Sequence, residues 1–565
     1  MADFRAALEG IEGFLEERLP RSDAPGAVVA LTDREQLLGA TAVGMADVAA
    51  ERPMRFDDRF QIGSISKSFA AIIAVQEVEA GRLDLQAPVT DYVPWFEVRS
   101  RFAPITPHHL LTHTAGLIMG TDFGLDGVHQ VWALRETECV YAPGERFYYS
   151  NDGYKLVGLI LEAISGKPFA ELLVERILGP LGMDDSDPAI TLATRAAVAL
   201  PHQRIFDDRP SHPGQPWMVS PWYETDTADG GIVSTASDMC AYARLLLARG
   251  DAPAGRVFSE ESWARLTQRA IEDADEPGAW YGYGLITREK AGRTLIGHSG
   301  SMAGYSSYLM TDPEAGLAVV VLMNGIEDRV ELVNYALEAG RAALAGAPVP
   351  PPPPPADPTA IDDAEQYAGT YRLCGGGPGG RSGGGPSGGG SGGGPSGGEL
   401  TLAASPGRLL LRAGDVEVAL ERREPDIFVA PHPDWDRFYL RAGRDAAGAV
   451  TQLFHGPDWY VNDRYSGRRD FAPRPEWQPF VGHYRSCSVW HPDLRVIERK
   501  GKLLLSAPWV EAPACELELV PLGEALFRVG TDEWRPDRLR FDAFVDGRAT
   551  RVFYNQAPLH RAFTP

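Results

Sequence analysis

The chain has 565 residues, a formal net charge of −23 at pH 7 and a pI near 5.0. This length exceeds that of one domain and predicts three or four. The acidic balance argues against nucleic acid as a partner, and no apolar run is long enough to span a bilayer, so we expect no membrane partner.

The N-terminal segment predicts an amphipathic helix that ends near Leu19. It lacks the apolar stretch of a signal peptide. The five cysteines are odd in number and far apart, with no Cys-x-x-Cys pair. They fit a reducing compartment and provide no metal site. We therefore expect a cytoplasmic protein rather than a periplasmic one.

The sequence Ser64-Ile65-Ser66-Lys67 predicts a nucleophile with a basic partner. On a helix, Ser64 and Lys67 share one face, and the apolar run that follows predicts a buried helix. A buried lysine has a lowered pKa and can act as a base, and a charged one can lower the pKa of a nearby tyrosine. The sequence leaves both roles open. It contains no other Ser-x-x-Lys.

Three histidines, His108, His109 and His113, raise the question of a zinc site. His109 and His113 are one helical turn apart, but no acidic residue lies between them as in His-Glu-x-x-His. We expect no metal ion and no other cofactor.

A second polar fragment, Tyr149-Ser150-Asn151, precedes a helix predicted over residues 154–164. Tyr149 can serve as a general base near Lys67. Asn151 can donate a hydrogen bond to a substrate carbonyl and position Lys67. Loops before helices often carry reacting groups.

A third fragment, His298-Ser299-Gly300, follows a strand-like run and precedes a β-prone run, Leu317 to Met323. Gly300 allows a substrate backbone to approach the strand. The backbone N–H of Ser301 can pair with that of Ser64 as an oxyanion hole.

A predicted helix, Val330 to Leu344, closes the first part of the chain. The six consecutive prolines of residues 350–355 predict a stiff polyproline II spacer. We predict a catalytic domain over residues 1–346 and a proline-rich linker over residues 347–360.

The remainder contains an internal repeat, which predicts two small antiparallel β-barrels over residues 361–474 and 475–565. Gly369 and Gly407 are 38 residues apart, whereas the corresponding Gly482 and Gly501 are 19 apart. The extra length matches the glycine-rich tract at residues 375–398, which we predict to be a disordered insertion in the first barrel.

The three polar fragments, in this order and at these separations, resemble the serine β-lactamase and penicillin-binding-protein superfamily, in its class C-like branch. Residues 110–117, 143–154 and 230–235 resemble the branch too, so the likeness covers about residues 1–345. It implies an α/β (α+β) domain with helices flanking an antiparallel sheet. It also implies that Ser64 is acylated, that Lys67 and Tyr149 move protons, and that Asn151 binds substrate.

One departure concerns His298, because true β-lactamases usually carry a lysine there, and that cation holds a carboxylate. A histidine is mostly neutral at pH 7. With its two lipocalin-like barrels, the chain is most similar to the D-aminopeptidase subfamily. The resemblance places the third fragment on an edge strand and a loop of the last barrel over the active site. Candidate loops are residues 491–493 and 532–537.

We therefore expect a serine hydrolase that releases N-terminal D-amino acids from short peptides, amides or esters. Ser64, Lys67 and Tyr149 are the predicted catalytic residues. The predicted substrate-binding residues are Asn151, His298, Gly300 and Ser301. The expected partner is a small molecule or short peptide with a free amino group, and a homodimer is one assembly open to the chain. The alternatives are an esterase on small acyl esters and a catalytically inactive penicillin-recognising binding protein.

Overall fold

The computed structural model describes residues 4–121, 126–221, 223–326, 329–374, 398–507, 510 and 515–562. The chain divides into two compact units. One comprises residues 1–203 and 217–355, and the other comprises residues 204–216 and 356–565. Apart from Gly398, the predicted glycine-rich insertion lies outside the described residues. Among the described helices, none is both long and apolar enough to cross a membrane.

The first unit contains ten α-helices among the described residues. They are α1 Arg5–Arg18, α2 Ser66–Glu79, α3 Pro107–Leu111, α4 Gly127–Ala133, α5 Asn151–Ser165, α6 Phe169–Leu173, α7 Gly179–Leu181, α8 Ala236–Leu247, α9 Glu260–Leu266 and α10 Val330–Leu344. Short 3-10 turns lie at Leu19–Arg21, Gly63–Ile65, Val89–Asp91, Leu134–Glu136 and Arg195–Ala197, and a π-turn lies at Val174–Leu178. The helix predicted over residues 330–344 is confirmed.

The strands of the same unit follow the chain as β1 Gly26–Thr32, β2 Leu37–Asp47, β3 Arg52–Pro53, β4 Phe60–Gln61, β5 His202–Arg204, β6 Trp217–Val219, β7 Val233–Ser234, β8 Asp251–Ala252, β9 Gly255–Arg256, β10 Ile271–Glu272, β11 Ala279–Tyr281, β12 Ile286–Lys290, β13 Arg293–Met302, β14 Tyr305–Asp312 and β15 Leu317–Met323. Nine of them form one antiparallel sheet in the order β10-β11-β12-β13-β14-β15-β1-β2-β3. The strand predicted at residues 317–323 is confirmed.

Helices cover both faces of this sheet. Strands β1 and β15 are buried along their whole length, as expected of central strands. Alternate side chains, such as Val29 and Val321, pack against α1 and α10 on one face. Helix α8 packs against β1, β14 and β15, and α2 is almost entirely buried. The predicted architecture, helices on an antiparallel sheet, is confirmed.

One sequence expectation about this sheet is wrong. The third fragment does not lie on an edge strand, because β13 pairs with both β12 and β14. However, the pairing with β12 stops at Ile286, opposite Gly297. Residues 298–302 therefore run beyond the end of β12 and pair only with β14 in the described sheet. This short stretch has the open backbone edge that the sequence suggested for the whole strand.

The second unit is mainly β-structure. Its first sheet contains β16 Gly369–Leu373, β17 Glu399–Ser405, β18 Arg408–Ala413, β19 Val416–Ala419, β20 Glu421–Glu424, β21 Ile427–Val429, β22 Leu440–Arg444, β23 Val450–His455 and β24 Asp458–Val461, after a 3-10 turn at Ala364–Gln366. Its closed barrel contains β25 Gly482–Arg485, β26 Asp493–Arg499, β27 Lys502–Ser506, β28 Glu516–Pro521, β29 Leu526–Val529, β30 Arg538–Val545, β31 Arg548–Tyr554 and β32 Ala557–Arg561. The first sheet has nine strands and is nearly closed, so the predicted pair of β-barrels is confirmed.

Residues 204–216, which interrupt the first unit in sequence, fold with the second unit. Ion pairs hold this segment there. They are Asp207 with Arg485 at 2.7 Å, Asp208 with Arg495 at 2.9 Å and Arg209 with Asp436 at 3.0 Å. This crossing was not predicted from the sequence. The change of unit between Pro355 and Ala356 falls inside the predicted linker, and the predicted domain boundaries themselves stay predictions.

Candidate active site

The side chain of Ser64 lies in a tight turn just before helix α2. The 3-10 turn Gly63–Ile65 runs directly into α2, so the hydroxyl sits at the positive end of the helix. Gly63 has a φ of +53°, and a Cβ there would lie 2.6 Å from the backbone nitrogen of Ser301. Only glycine fits this position, because the conformation is left-handed and strand β13 passes so close.

Lys67 lies one turn further along α2 and is fully buried. Its Nζ hydrogen-bonds with Ser64 Oγ at 3.0 Å, with Asn151 Oδ1 at 2.8 Å and with the backbone oxygen of Asp229 at 2.7 Å. These three contacts fit an ammonium group with three N–H donors, and they also fit a neutral amine that donates to Asn151 and Asp229 and accepts from the Ser64 hydroxyl. The predicted pairing of Lys67 with Ser64 and with Asn151 is present in the structure.

Tyr149 lies on the other side of the nucleophile, and its phenol hydrogen-bonds with the Ser64 side chain. The Lys67 Nζ is 4.9 Å from the centre of the Tyr149 ring. Burial raises the pKa of Tyr149 above its ordinary value, although the hydrogen bond with Ser64 acts in the opposite direction. The phenol therefore keeps its proton at neutral pH. Ser64, Lys67 and Tyr149 form one connected group around a single hydroxyl.

Asn151 is the first residue of α5, and Ser150 caps that helix by accepting a hydrogen bond from the Gly153 N–H. The backbone N–H of Asn151 donates to the oxygen of Met119 at 2.6 Å. These bonds fix the start of α5, and with it the Asn151 side chain that contacts Lys67.

His298 is buried, and both of its ring nitrogens are engaged within the protein. Nδ1 donates to the backbone oxygen of Ser299, so Nε2 accepts, and the hydroxyl of Tyr281 donates to it at 3.0 Å. Burial lowers the pKa of His298 to about 3. The imidazole is therefore neutral at pH 7 and provides no cation for a substrate carboxylate.

The backbone of residues 300–301 lies against the turn that carries Ser64. A Cβ on Gly300 would lie 1.9 Å from the backbone oxygen of Ile62, so this glycine permits the close approach. The Ser307 hydroxyl, from the paired position on β14, donates to the same Ile62 oxygen at 2.7 Å. Ser301 is exposed. The oxyanion hole of Ser64 and Ser301 stays a prediction.

Two further residues line this site, His113 and Tyr281, and the sequence alone predicted no catalytic role for either. Both are buried, and their rings lie 4.6 Å apart between centres. His113 also contacts the Tyr149 ring, at 4.1 Å. The resemblance included His113 in a motif without giving it a function. The only signal in the sequence was the place of His113 in the polar run Thr112-His113-Thr114 between apolar residues.

The histidines considered for zinc have separate partners. His109 Nδ1 accepts from the Thr106 N–H at 3.1 Å, and His108 Nδ1 bonds with the Tyr283 hydroxyl at 2.8 Å. Within the described ranges, no group of three or more His, Cys, Asp or Glu side chains could hold a metal ion.

The chain is similar to known proteins along its first unit. A family model described as Beta-lactamase matches residues 11–337. Esterase EstB from Burkholderia gladioli is 31% identical over 234 residues, which cover 37% of this chain and 56% of EstB. The D-aminopeptidase of Cereibacter sphaeroides (strain ATCC 17029 / ATH 2.4.9) is 26% identical over 319 residues, which cover 53% of this chain and 57% of that enzyme. Each alignment spans little more than half of the relative.

A solved structure extends the likeness beyond the first unit. The octameric penicillin-binding protein homologue from Pyrococcus abyssi superposes with a TM-score of 0.56 at 24% identity. The match covers 80% of this chain and 99% of that one. At this identity the likeness concerns the fold alone.

Proposed function

This chain belongs to the beta-lactamase family and is a serine hydrolase of that family. On this premise, we propose that it releases N-terminal D-amino acids from short peptides, amides or esters. The observation that carries the proposal is the composition of the site. A complete Ser64–Lys67–Tyr149 group lies beside a neutral, internally bonded His298.

In the proposed reaction, Lys67 enters as the neutral amine, which donates to Asn151 and to the Asp229 oxygen and accepts from the Ser64 hydroxyl. Ser64 Oγ attacks the substrate carbonyl carbon, and its proton passes to the lone pair of Lys67 within the Lys67–Tyr149 pair. The pair returns a proton to the leaving amine as the carbon–nitrogen bond breaks, which leaves an acyl-enzyme on Ser64. Water then hydrolyses the ester bond to Ser64 and regenerates the hydroxyl. Asn151 binds the substrate amide, and the N–H groups of Ser64 and Ser301 hold the developing oxyanion.

The state of His298 supports an amino-group substrate over a carboxylate substrate. A carboxypeptidase or a β-lactamase needs a positive charge to hold the carboxylate of its substrate. His298 is neutral, since burial lowers its pKa to about 3, and its ring nitrogens contact Ser299 and Tyr281. The net charge of −23 also favours a cationic substrate over an anionic one. The 26% identity with a D-aminopeptidase supports the same choice.

The test is hydrolysis of D- and L-alanine amides by the purified protein and by its Ser64→Ala variant. We expect cleavage of the D-isomer with a strong stereochemical preference, and we expect the variant to be inactive. Equal rates on both isomers would remove the D-specific part of the proposal. Activity retained in Ser64→Ala would remove the nucleophile.

The second candidate is an esterase on small acyl esters, and the 31% identity with Esterase EstB favours it. The same residues would serve, because an alkoxide leaves more readily than an unprotonated amide nitrogen, so ester cleavage requires less proton donation from the Lys67–Tyr149 pair. Fast cleavage of p-nitrophenyl butyrate together with no amide hydrolysis would select the esterase. A third alternative, an inactive penicillin-recognising protein, predicts that a fluorophosphonate probe fails to label Ser64.

A further inference from the structure

The buried His113 contacts the loop that carries Tyr149 in two ways. Its backbone oxygen accepts from the Tyr148 N–H at 2.8 Å, and its ring Nδ1 accepts from the Ser150 N–H at 3.0 Å. These two bonds flank Tyr149 in sequence. Its ring also packs against the Tyr149 ring, with 4.1 Å between their centres.

The backbone at His113 has an unusual conformation. Its φ is +56°, in the left-handed region that is uncommon for residues other than glycine, although asparagine, aspartate and histidine enter it more often than most. This turn follows α3 and directs the His113 oxygen towards Tyr148.

The ring is also fixed in one protonation state. Because a backbone N–H can only donate, Nδ1 of His113 must accept, and the proton of the neutral ring is on Nε2. Nε2 has no hydrogen-bond partner among the described residues. Burial lowers the pKa of His113 well below its ordinary value, and the nearby Lys67 adds to this effect. The ring therefore stays neutral and keeps Nδ1 available to Ser150.

We propose that His113 is a positioning residue for the Ser64 reaction: it holds Tyr149 in line with the nucleophile by accepting the Ser150 N–H and packing against the phenol ring. This inference rests on the proposed function. His113 is too deeply buried to act on a substrate directly, since only 1% of its surface is exposed. Misplacing a reacting group by about 1 Å can cost roughly 100-fold in rate.

A matched pair of variants tests the proposal. In His113→Asn, the amide oxygen occupies the place of Nδ1, and asparagine tolerates a positive φ. In His113→Gln, the amide extends towards the place of Nε2, which leaves the Ser150 N–H without its acceptor. We expect His113→Asn to keep kcat within about tenfold, and His113→Gln to lose roughly 100-fold in kcat with little change in KM.

His455→Gln is the control for changing a buried histidine. His455 lies in the second unit, where its Nε2 bonds with the backbone oxygen of Trp435. We expect this variant to keep its kcat. Because the glutamine amide nitrogen can take the place of Nε2, any change in melting temperature reflects the lost packing of the ring. Equal kcat losses in both His113 variants at equal melting temperatures, or unchanged kcat in His113→Gln, would overturn the positioning role.

The state of the wild-type enzyme separates this inference from the proposed function. If wild type neither hydrolyses amides or esters nor reacts with a fluorophosphonate at Ser64, the proposed function fails, and the positioning role fails with it. If wild type is active and the two His113 variants do not differ, only the positioning role fails.

Discussion

The strongest prediction concerns the shared proton of Ser64, Lys67 and Tyr149. Lys67→Met removes the amine that contacts Ser64 Oγ, and Tyr149→Phe removes only the phenol oxygen. Each single change removes one of two groups that bond with the same hydroxyl. Losing a general acid or base costs about 10³- to 10⁴-fold in kcat/KM, or roughly 4–5.5 kcal/mol of transition-state stabilisation.

The geometry predicts that these losses do not add. If Lys67 and Tyr149 acted independently, the double variant would lose about 10⁶- to 10⁸-fold. However, the Lys67 Nζ is 4.9 Å from the Tyr149 ring centre, and the structure has one hydroxyl proton for both. Once either group is gone, the other lacks its partner in the transfer. We therefore expect the double variant to lose about as much as the worse single variant.

The assay is kcat/KM for D-alanine p-nitroanilide, with melting curves to show that each variant is folded. The control is Lys167→Met, a half-exposed lysine that pairs with Glu171 and Glu175. We expect this variant to match wild type. A double variant whose loss equals the product of the two single losses would refute a shared proton path. A Lys67→Met variant with near wild-type activity would refute the role of the lysine.

Three further predictions follow from single contacts. Ser64→Ala should lower turnover by a factor on the order of 10⁴ or more and abolish fluorophosphonate labelling. Burial lowers the pKa of His298 to about 3 and that of His455 to about 4. The stability that each neutral ring contributes is therefore complete above pH 6.5, and it is lost as the pH falls from 6.5 to the lowered pKa of that histidine. At pH 5 the free energy of unfolding in urea should be lower than at pH 7 by roughly 2 kcal/mol for each histidine, and His455→Gln should remove its own share. Arg495→Ala should destabilise the second unit by about 1.5–3 kcal/mol in urea unfolding, because it removes a charged hydrogen bond to Asp208, which keeps Arg209 as its other partner; a loss below about 0.5 kcal/mol would contradict this.

The sequence predicted the local framework of the site well, because that framework depends on short-range patterns. A serine and a lysine three residues apart before an apolar run were enough to predict that Ser64 precedes a buried helix. The structure has Ser64 in the turn before α2 and Lys67 fully buried within it. The second fragment was also placed correctly before a helix, but α5 begins at Asn151 and is capped by Ser150.

The parts of the site that depend on long-range packing could not be predicted in the same way. His113 precedes Ser150 by 37 residues, and its Nδ1 bond exists only because the turn after α3 packs against the loop before α5. The bond between Tyr281 and His298 depends on the packing of β11 and β13, which lie on either side of β12. No spacing rule identifies such pairs in a single sequence.

The two C-terminal barrels were predictable because the same local hydrogen bond, from a tyrosine hydroxyl to a backbone oxygen, occurs in both. Tyr371 donates to the backbone oxygen of Tyr367 at 2.7 Å, and Tyr484 donates to that of Phe480 at the same distance. Each tyrosine ties the first strand of its sheet to the turn before it. This i to i−4 bond explains why the repeat is clearest at these positions. Residues 204–216 fold with this unit through ion pairs between residues that are far apart in sequence. These residues form no repeat, so the sequence did not predict this association.

The two buried histidines of the site carry their protons on different nitrogens, and this limits the source of its pH dependence. His113 must accept from Ser150 through Nδ1, whereas His298 must donate to Ser299 through Nδ1. Burial disfavours the charged form of either ring, and the nearby Lys67 adds to this effect, so both pKa values are lowered. Neither imidazole can then account for an inflection in kcat/KM between pH 5 and 9. Any inflection there must come from the Lys67–Tyr149 pair or from the substrate amine, and an N-acylated substrate, which has no ionisable amine, distinguishes these two sources.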